Sequence, residues 1–460
     1  MKSTVRIASG QGFWGDLPLA PVDQVRKGAI DYLMMDYLAE VTMSIMQKQK
    51  MRNHAHGYAR DFVEVFREIL PDIREKGIKV LTNAGGVNPE ACKDALLEVA
   101  ADLGISGLQI AVVDGDDILG QIESLNNTGH LLQNMDDGRP VTEIRDRLLS
   151  ANVYFGARPM VEALQRGADV VITGRVTDTG LCLAPMIHEF DWSFDDFDKM
   201  ASGTVAGHIL ECGAQSSGGN FTDWHTVDDF TDIGFPIVEA SADGSFVVTK
   251  HEGTGGVVNL MTVKEQLLYE IGDPAEYITP DCVADFTSIR LEEDGDNRVR
   301  VTNIKGKPDT PFFKVSASYN DGYKMSSSLV YSWPEALRKA ILGGEILKKR
   351  AERLGLEIDE FRCEYVGFNG CSEQDIATAD LNRDYNEIQL RFSARGKNKD
   401  DLNRLGMEIA PLILTGPSSV TGFAGGRPRA SDVVAYWPAL ISKKACTPRV
   451  RIFSTQTRTS

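Results

Sequence analysis

The chain has 460 residues, a length that predicts two or three domains of ordinary size and excludes a small scaffold held together by disulfides. Hydrophobic residues make up 42% of the sequence and charged residues 25%, which is typical of a globular protein and excludes a largely disordered one. The formal net charge of −17 opposes nonspecific binding to nucleic acid or to anionic lipid.

The seven cysteines and the amino-terminal segment favour a reducing, intracellular setting. The cysteines are scattered, and their spacing matches neither a disulfide framework nor a zinc finger. Residues 1–15 lack the apolar core of a signal peptide, and no window of the sequence is apolar enough to span a membrane. We therefore expect a cytoplasmic protein that binds neither nucleic acid nor a membrane.

Short apolar runs in the first 175 residues predict five buried strands. They are residues 5–9, 32–35, 78–82, 108–113 and 170–173. Helical patterns separate them, the clearest at residues 89–103, where Asn88 is the expected N-cap and Gly104 the stop. Parallel strands need such crossover helices, so the alternation predicts an α/β fold with a parallel sheet flanked by helices.

After Gly234 the pattern changes to strand runs joined by short turns, including separate runs at residues 312–319 and 324–332. Beyond residue 332, amphipathic helices and strands alternate in an α+β pattern. The chain is therefore expected to have three parts. These are an α/β domain with a glycine-rich ligand rim at residues 1–234, a mainly β-hairpin region packed on it at 235–332, and an α+β carboxyl-terminal domain at 333–460.

The loops that follow the five strands form the expected ligand rim, because open parallel sheets bind ligands beyond the carboxyl ends of their strands. Glycines let backbone N–H groups approach a ligand, Asn and Asp offer oriented hydrogen bonds, and Arg can grip a carboxylate or a phosphate. The candidate substrate-binding residues are Gly10, Gly12, Gly15, Asp36, Asn83, Gly85, Gly86 and Arg175, together with the later pair Gly255 and Gly256.

The first of these loops matches the G-x-G-x-x-G pattern of dinucleotide-binding proteins, and Asp36 lies at the spacing of a ribose-binding acid. However, Pro18 and Pro21 oppose the helix that this fingerprint needs directly after its third glycine. A nucleotide-cofactor-dependent enzyme therefore stays open as an alternative, and the pattern also fits a plain glycine-rich turn.

The strongest catalytic candidates lie on a helix rich in small residues, where His208, Glu211 and Cys212 share one face. This face could supply a base, an acid and a nucleophile, or it could be structural. Asp178 is a further candidate base, with an N-cap role for the following helix as the alternative. No second cluster of His or Cys stands at metal-ligand spacing, so we expect no metal site.

Two further segments carry charge beside glycines. Lys250 precedes the Gly253–Gly256 run and is either a partner for an anion or a solvated strand end. Residues 416–429 combine glycines with two arginines, and this segment could reach the first domain or make a contact in a homo-oligomer. Signatures of common hydrolases, P-loop proteins, zinc proteases and kinases are not found in the sequence.

Several of these segments together resemble the acyclic terpene utilisation family of the AtuA type. The resemblance depends on residues 10–16, 36–40, 83–86, 171–175, 203–212, 218–224, 255–256 and 263–270. It implies a role in the catabolism of citronellol- and geraniol-like terpenes, which proceeds through branched acyl-CoA thioesters. It carries over no catalytic residue and no cofactor, except that coenzyme A would enter as part of the substrate.

The resemblance and the residues together favour a lyase or hydratase that acts beta to a thioester or carboxylate carbonyl of a small molecule. Such chemistry needs an anion grip, donors for an enolate-like oxygen, and an acid or base. The expected suppliers are Arg175 for the grip, backbone N–H groups near Gly85, Gly86 and Gly255 for the oxygen, and Glu211, Asp178 or His208 for proton transfer. The alternative from another class is a noncatalytic binding or assembly subunit of a catabolic complex.

Overall fold

The computed structural model describes residues 3–372, 374–381, 383–422 and 426–456. Contacts between residues divide it into two compact units. The first contains the residues up to Ser318 and those from Tyr436 onward, and the second contains Tyr319–Ala435. The predicted contact segment at residues 416–429 includes three residues that lie outside this description.

Strands and helices alternate through the first half of the first unit. The strands are Thr4–Gln11 (β1), Tyr32–Met35 (β2), Lys79–Thr82 (β3), Gln109–Asp114 (β4), Leu148–Val153 (β5) and Val170–Thr173 (β6). The helices are Ala20–Arg26 (α1), Glu40–Arg52 (α2), Arg60–Lys76 (α3), Pro89–Asp102 (α4), Ile122–Asn127 (α5), Arg158–Gln165 (α6), Gly180–Phe190 (α7) and Phe197–Glu211 (α8). The five predicted strands are present, and the sequence did not predict β5.

Parallel pairing joins β1, β2, β3, β6 and β4 in that order. Adjacent residues of β2 show how both faces of this sheet are covered, because side chains alternate along a strand. Leu33 packs in a core that includes residues of α1, α3 and α4. Tyr32, on the opposite face, donates a hydrogen bond to Glu189 of α7. The predicted α/β fold with a parallel sheet flanked by helices is therefore confirmed.

The rest of the first unit is mainly strand. It contains Ile237–Ser241 (β7), Phe246–Thr249 (β8), Leu260–Leu268 (α9), Tyr277–Ile278 (β9), Val283–Asp285 (β10), Arg290–Glu293 (β11), Val299–Thr302 (β12) and Lys305–Lys307 (β13). The pair β7 and β8 extends the sheet beyond β1, and β12 and β11 follow. The contact division thus differs from the three parts expected from the sequence, because strands after Gly234 complete the first sheet.

A single long strand replaces the two runs predicted at residues 312–319 and 324–332. This strand, Phe312–Ser332 (β14), continues through Gly322 although that residue has a φ of +87°. Its later part pairs without interruption with Glu387–Gly396. The turn-like residues between the two runs therefore bend one strand instead of reversing the chain, and the expectation of a break there is wrong.

The second unit packs helices against an antiparallel sheet. After β14 come Ala336–Arg353 (α10), Glu360–Val366 (β15), Glu387–Gly396 (β16), Lys399–Gly406 (α11), Leu412–Thr415 (α12) and Val420–Thr421 (β17). The last two strands are Ser431–Ser442 (β18) and Arg449–Ser454 (β19). The chain returns to the first unit within β18, at Tyr436. Its sheet order is β15, β16, β14, β17. No helix of the described ranges is both long and apolar enough to cross a lipid bilayer.

Replacement of Leu33 by Ala tests the importance of the core on the α3 face. The side chain is completely buried, so Leu33→Ala should lower the free energy of unfolding by about 2–5 kcal/mol. Leu268→Ala, at a site with 73% exposure, should cost about 1 kcal/mol or less. Urea denaturation followed by circular dichroism measures both, and equal losses would contradict this description of the core.

Candidate functional site

A cavity of about 510 Å³ lies at the carboxyl edge of the parallel strands. Three of its lining residues follow strands of the sheet: Gly12 after β1, Asp36 after β2 and Arg175 after β6. The end of α8 contributes Glu211 and Cys212 to the same cavity. Loops that are far apart in the chain thus meet at one place, as the strand order predicts.

The meeting of α8 with the loop after β1 depends on the absence of a side chain at residue 12. A Cβ atom on Gly12 would lie 2.5 Å from the amide nitrogen of Gly213, which is closer than packed atoms allow. The Oδ2 atom of Asp16 accepts a hydrogen bond of 2.9 Å from the Gly12 N–H and fixes the loop. Gly12 therefore contributes a close backbone approach at one wall of the cavity.

Glu211 is held in place by His208. The Nδ1 atom of His208 lies 2.8 Å from Oε1 of Glu211, and its Nε2 atom lies 2.9 Å from the carbonyl oxygen of Gln266. Because that carbonyl can only accept, Nε2 carries a proton. Burial disfavours the imidazolium, but the Glu211 charge and hydrogen bonds outweigh it and place the pKa of His208 above its usual value.

His208 itself does not line the cavity. Its side chain is 1% exposed and packs against the rings of Tyr277 and Phe286. The side chain of Glu211, by contrast, is 12% exposed and faces the cavity. The predicted shared face of His208 and Glu211 is present, and its geometry gives the histidine an orienting role and leaves contact with a ligand to the carboxylate.

Asp36 is a buried carboxyl group at the cavity wall. Its Oδ1 atom accepts hydrogen bonds from the Asn83 amide at 2.6 Å and from the Leu38 N–H at 3.0 Å. Burial raises the pKa of Asp36 to about 6, while the charge of Arg175 and the Asn83 hydrogen bond oppose the rise. Asp36 can therefore carry a proton near neutral pH, which an ordinary aspartate does not.

Asn83 supports this carboxyl group and is not among the residues that line the cavity. Besides donating to Asp36, it accepts a hydrogen bond of 2.7 Å from the Tyr37 N–H. The side chain is completely buried. The same loop leads into α4, where Asn88 occupies the predicted N-cap position but donates its amide to the carbonyls of His54 and His56 instead of capping the helix.

The guanidinium of Arg175 is already engaged by the protein. Its side chain is 2% exposed, stacks 4.1 Å above the ring of Tyr154, and donates to the Leu38 carbonyl at 2.7 Å. Its Nη2 atom lies 2.9 Å from Oδ1 of Asp178. The Leu38 carbonyl and the partly exposed Asp178 thus engage the fork of Arg175, and its predicted grip on an anionic ligand stays a prediction.

Asp178 does not take the capping role that was its alternative. The N-cap position of α7 is Thr179, without a side-chain capping bond, and the Asp178 carboxylate turns to Arg175 at the cavity wall. Cys212 also lines the cavity, but burial raises the pKa of its thiol to about 12. A protonated thiol is a poor nucleophile, so the site does not favour nucleophilic catalysis by Cys212.

Four polar lining residues were not among the sequence candidates: Gln215, Asn220, Tyr269 and Glu270. Gln215 and Asn220 belong to a donor-rich loop directly after α8, so the position of that loop was a usable signal. Tyr269 and Glu270 follow α9, and the signal for them was their place in the segment 263–270 that resembles the family. The charge of Glu270 and burial raise the pKa of Tyr269, which keeps its phenol protonated as a possible donor.

Six of the predicted glycines are not brought to the cavity: Gly10, Gly15, Gly85, Gly86, Gly255 and Gly256. The N–H of Gly86 donates to the Asn83 carbonyl, and that of Gly255 donates to the Asp232 carbonyl. These donors are therefore committed to backbone carbonyls, Gly86 in a turn and Gly255 at a β-bridge with Ile233. The expectation that backbone N–H groups near Gly85, Gly86 and Gly255 stabilise an enolate-like oxygen is not supported by this geometry.

The first loop also lacks the geometry of a dinucleotide fingerprint. Turns follow Gly15, and α1 begins only at Ala20, so no helix starts at the third glycine of the pattern. Asp36 is buried and hydrogen bonded to Asn83 where a ribose-binding acid would be open. Across the described ranges, no group of three His, Cys, Asp or Glu side chains is arranged to hold a metal ion.

Comparisons with known proteins leave one informative match. Searches among curated proteins and among solved structures found nothing similar. A protein-family model described as acyclic terpene utilisation family protein AtuA matches residues 5–452, which is nearly the whole chain. The match therefore includes residues of both compact units as well as every residue of the cavity. The chain belongs to the acyclic terpene utilisation family, AtuA.

Proposed function

We propose that the protein is a hydratase or lyase that acts beta to the thioester carbonyl of a branched acyl-CoA during acyclic terpene breakdown. The observation that carries the proposal is a pair of carboxyl groups with different surroundings in one cavity: Asp36 is buried beside the Asn83 amide, whereas Glu211 is hydrogen bonded to His208. Divergent environments for two carboxyl groups are the usual arrangement for one acid and one base.

The two groups have complementary tasks in this reaction. Glu211 takes a proton from water, whose oxygen forms a bond to the β carbon of an α,β-unsaturated thioester. Asp36, in its protonated form, gives its proton to the α carbon as the double bond is consumed. The net result is the addition of water across the double bond. Glu211 then releases its proton to solvent, and Asp36 takes a proton from solvent. The reverse sequence eliminates water.

The charge of the cavity favours a neutral carbonyl over a free carboxylate. Asp178 and Arg175 form an ion pair, and Glu211 is hydrogen bonded to His208. Glu270 then leaves an excess of negative charge, which repels an anionic head group. A thioester presents a neutral carbonyl, and coenzyme A would remain outside as the handle of the substrate.

The developing enolate oxygen must be stabilised by hydrogen-bond donors. The glycines predicted for this role, Gly85, Gly86 and Gly255, do not line the cavity, so other residues must supply the donors. Asn220 and the protonated phenol of Tyr269 line the cavity and are suited to this task. Family membership supports a substrate from acyclic terpene catabolism. The acyl-CoA and the hydration or elimination step are our proposal, supported by the carboxyl pair and by the cavity charge.

Glu211→Gln should lower kcat/KM for hydration of a branched enoyl-CoA by about 10²- to 10⁴-fold, the usual contribution of a positioned base. The substitution keeps the shape of the side chain, so the Tm should stay within about 3 °C of the unchanged protein. A panel of acyl-CoA thioesters, with product detected by mass spectrometry as the gain or loss of one water, identifies the substrate first.

Glu98→Gln is the matched control for this experiment, because Glu98 is an exposed residue of α4 away from the cavity. It should leave both kcat/KM and Tm unchanged. Equal activity of Glu211→Gln and Glu98→Gln would remove Glu211 from the chemistry. A complete lack of turnover across the panel by the unchanged protein would contradict the proposed reaction class.

The pH dependence of kcat/KM tests the role of Asp36 as the acid. Asp36 carries its proton below a pKa of about 6 and loses it as the pH rises through that value. Because an acid must hold a proton to act, kcat/KM should fall about tenfold per pH unit above pH 6. Initial rates at constant ionic strength measure this limb, and a flat profile from pH 6 to 8 would exclude Asp36 as the acid.

A further inference from the structure

A second cavity, of about 610 Å³, lies at the other end of β1. Arg6 lies near the start of β1 and lines this cavity, whereas Gly12 follows the end of the strand and lines the first one. Six residues of extended chain separate their backbones by about 20 Å. The two cavities share no lining residue, so the second is a separate site.

Cationic side chains outnumber anionic ones by one on the wall of this cavity, and Lys27 is paired with Asp23 and Asp232. The cationic residues are Arg6, Lys27, Lys250 and Arg298. The anionic residues are Glu239, Glu252 and Asp296. Glu252 and Asp296 are exposed to solvent, so water screens their charges more strongly than those of the buried groups. This wall contrasts with the first cavity, where carboxyl groups outnumber the single guanidinium.

Lys250 is the central observation. It is 8% exposed, and its ammonium donates to the carbonyl oxygen of Thr254 at 2.8 Å and to its Oγ1 at 3.2 Å. Both partners are neutral, and no carboxylate in the described part of the chain forms an ion pair with it. Burial lowers the pKa of Lys250. A buried cation without a counter-ion is costly, so an anion bound beside it would be stabilised.

The arginines of the wall share one counter-ion. Arg6 forms an ion pair with Glu239 through Nη1, and Nη2 of Arg298 lies 2.7 Å from the other oxygen of Glu239. The Nε atom of Arg6 is buried and has no hydrogen-bond partner among the described atoms. Arg298 also forms an ion pair with Asp294, so the unused donor at this wall is the Nε atom of Arg6.

The His251 side chain contributes to the shape of the second cavity and not to its charge. Its Nε2 atom lies 2.9 Å from the Gln24 carbonyl oxygen, and burial together with the charges of Arg6 and Lys27 lowers its pKa. The neutral ring packs against Gly28, where a Cβ atom would lie only 2.3 Å from Nδ1. The backbone at Gly28 therefore lies close to the His251 ring beside the cations, and the space that remains in the cavity suits a compact ligand.

We propose that this second cavity binds the phosphate group of a small-molecule ligand, with Lys250 as its principal cation. A phosphate offers several acceptor oxygens and up to two negative charges, which match an ammonium and an arginine with a spare donor. The proposal does not depend on the reaction assigned to the first cavity. It also gives Lys250 the anion-partner role that the sequence left open.

Isothermal titration of the full chain with inorganic phosphate in low-chloride buffer tests the proposal, because added salt would screen the interaction. The unchanged protein should bind one phosphate saturably. Lys250→Met should weaken binding about tenfold or more, as expected for loss of a charge-assisted hydrogen bond. Lys349→Met, at an exposed lysine of α10, is the matched control and should bind as the unchanged protein does.

Glu239→Gln provides an independent variant with the opposite sign. Removal of the carboxylate charge that Arg6 and Arg298 share should tighten phosphate binding. If Lys250→Met fails to fold, this variant alone decides, and unchanged or weaker binding by Glu239→Gln would overturn the proposal. Absence of saturable binding, or equal binding by folded Lys250→Met, would overturn it as well. Adenosine diphosphate serves as a second probe, and tighter binding than phosphate would identify a nucleotide as the carrier.

Discussion

The close approach of Gly12 to the backbone at Gly213 is the contact on which the site depends. It lets the end of α8 touch the loop after β1, so a helix that starts far along the chain delivers Glu211 to the edge where Asp36 and Arg175 already lie. A Cβ atom at residue 12 would lie 2.5 Å from the Gly213 nitrogen, so these walls would have to move apart. The absence of a side chain at Gly12 is therefore a geometric requirement for the proposed reaction.

Burial then determines what each charged group can do. Arg175 is engaged by Asp178, Leu38 and Tyr154, and its charge acts on the neighbouring carboxyl groups. Asp36 forms no comparable ion pair with the residues that the structure describes, and desolvation leaves it able to carry a proton. Lys250, in the other cavity, is buried beside neutral oxygens. Carboxyl groups outnumber cations in the first cavity, whereas four cations and three carboxylates line the second, at the opposite end of the same strand.

The sequence predicted what depends on local pattern and strand order. The runs that became β2 and β6 were located to the residue, and the rim placed Asp36 and Arg175 correctly because parallel strands share a carboxyl edge. The contacts between distant segments could not be predicted. Examples are the hydrogen bond between His208 and the Gln266 carbonyl and the position of Tyr269 at the cavity. The glycines at 85, 86, 255 and 256 matched a ligand rim equally well, yet the first two lie in a turn and the last two pair with the segment at residues 229–233. Likewise, β14 is one strand where the sequence predicted two, and its later part pairs with the distant strand β16.

The most direct measurement is a crystal structure of the full chain with a nonreactive analogue of a branched enoyl-CoA. We expect the acyl carbonyl in the first cavity, with Asp36 and Glu211 on either side of the α and β carbons. Acyl density elsewhere on the protein, with this cavity filled only by solvent, would contradict it.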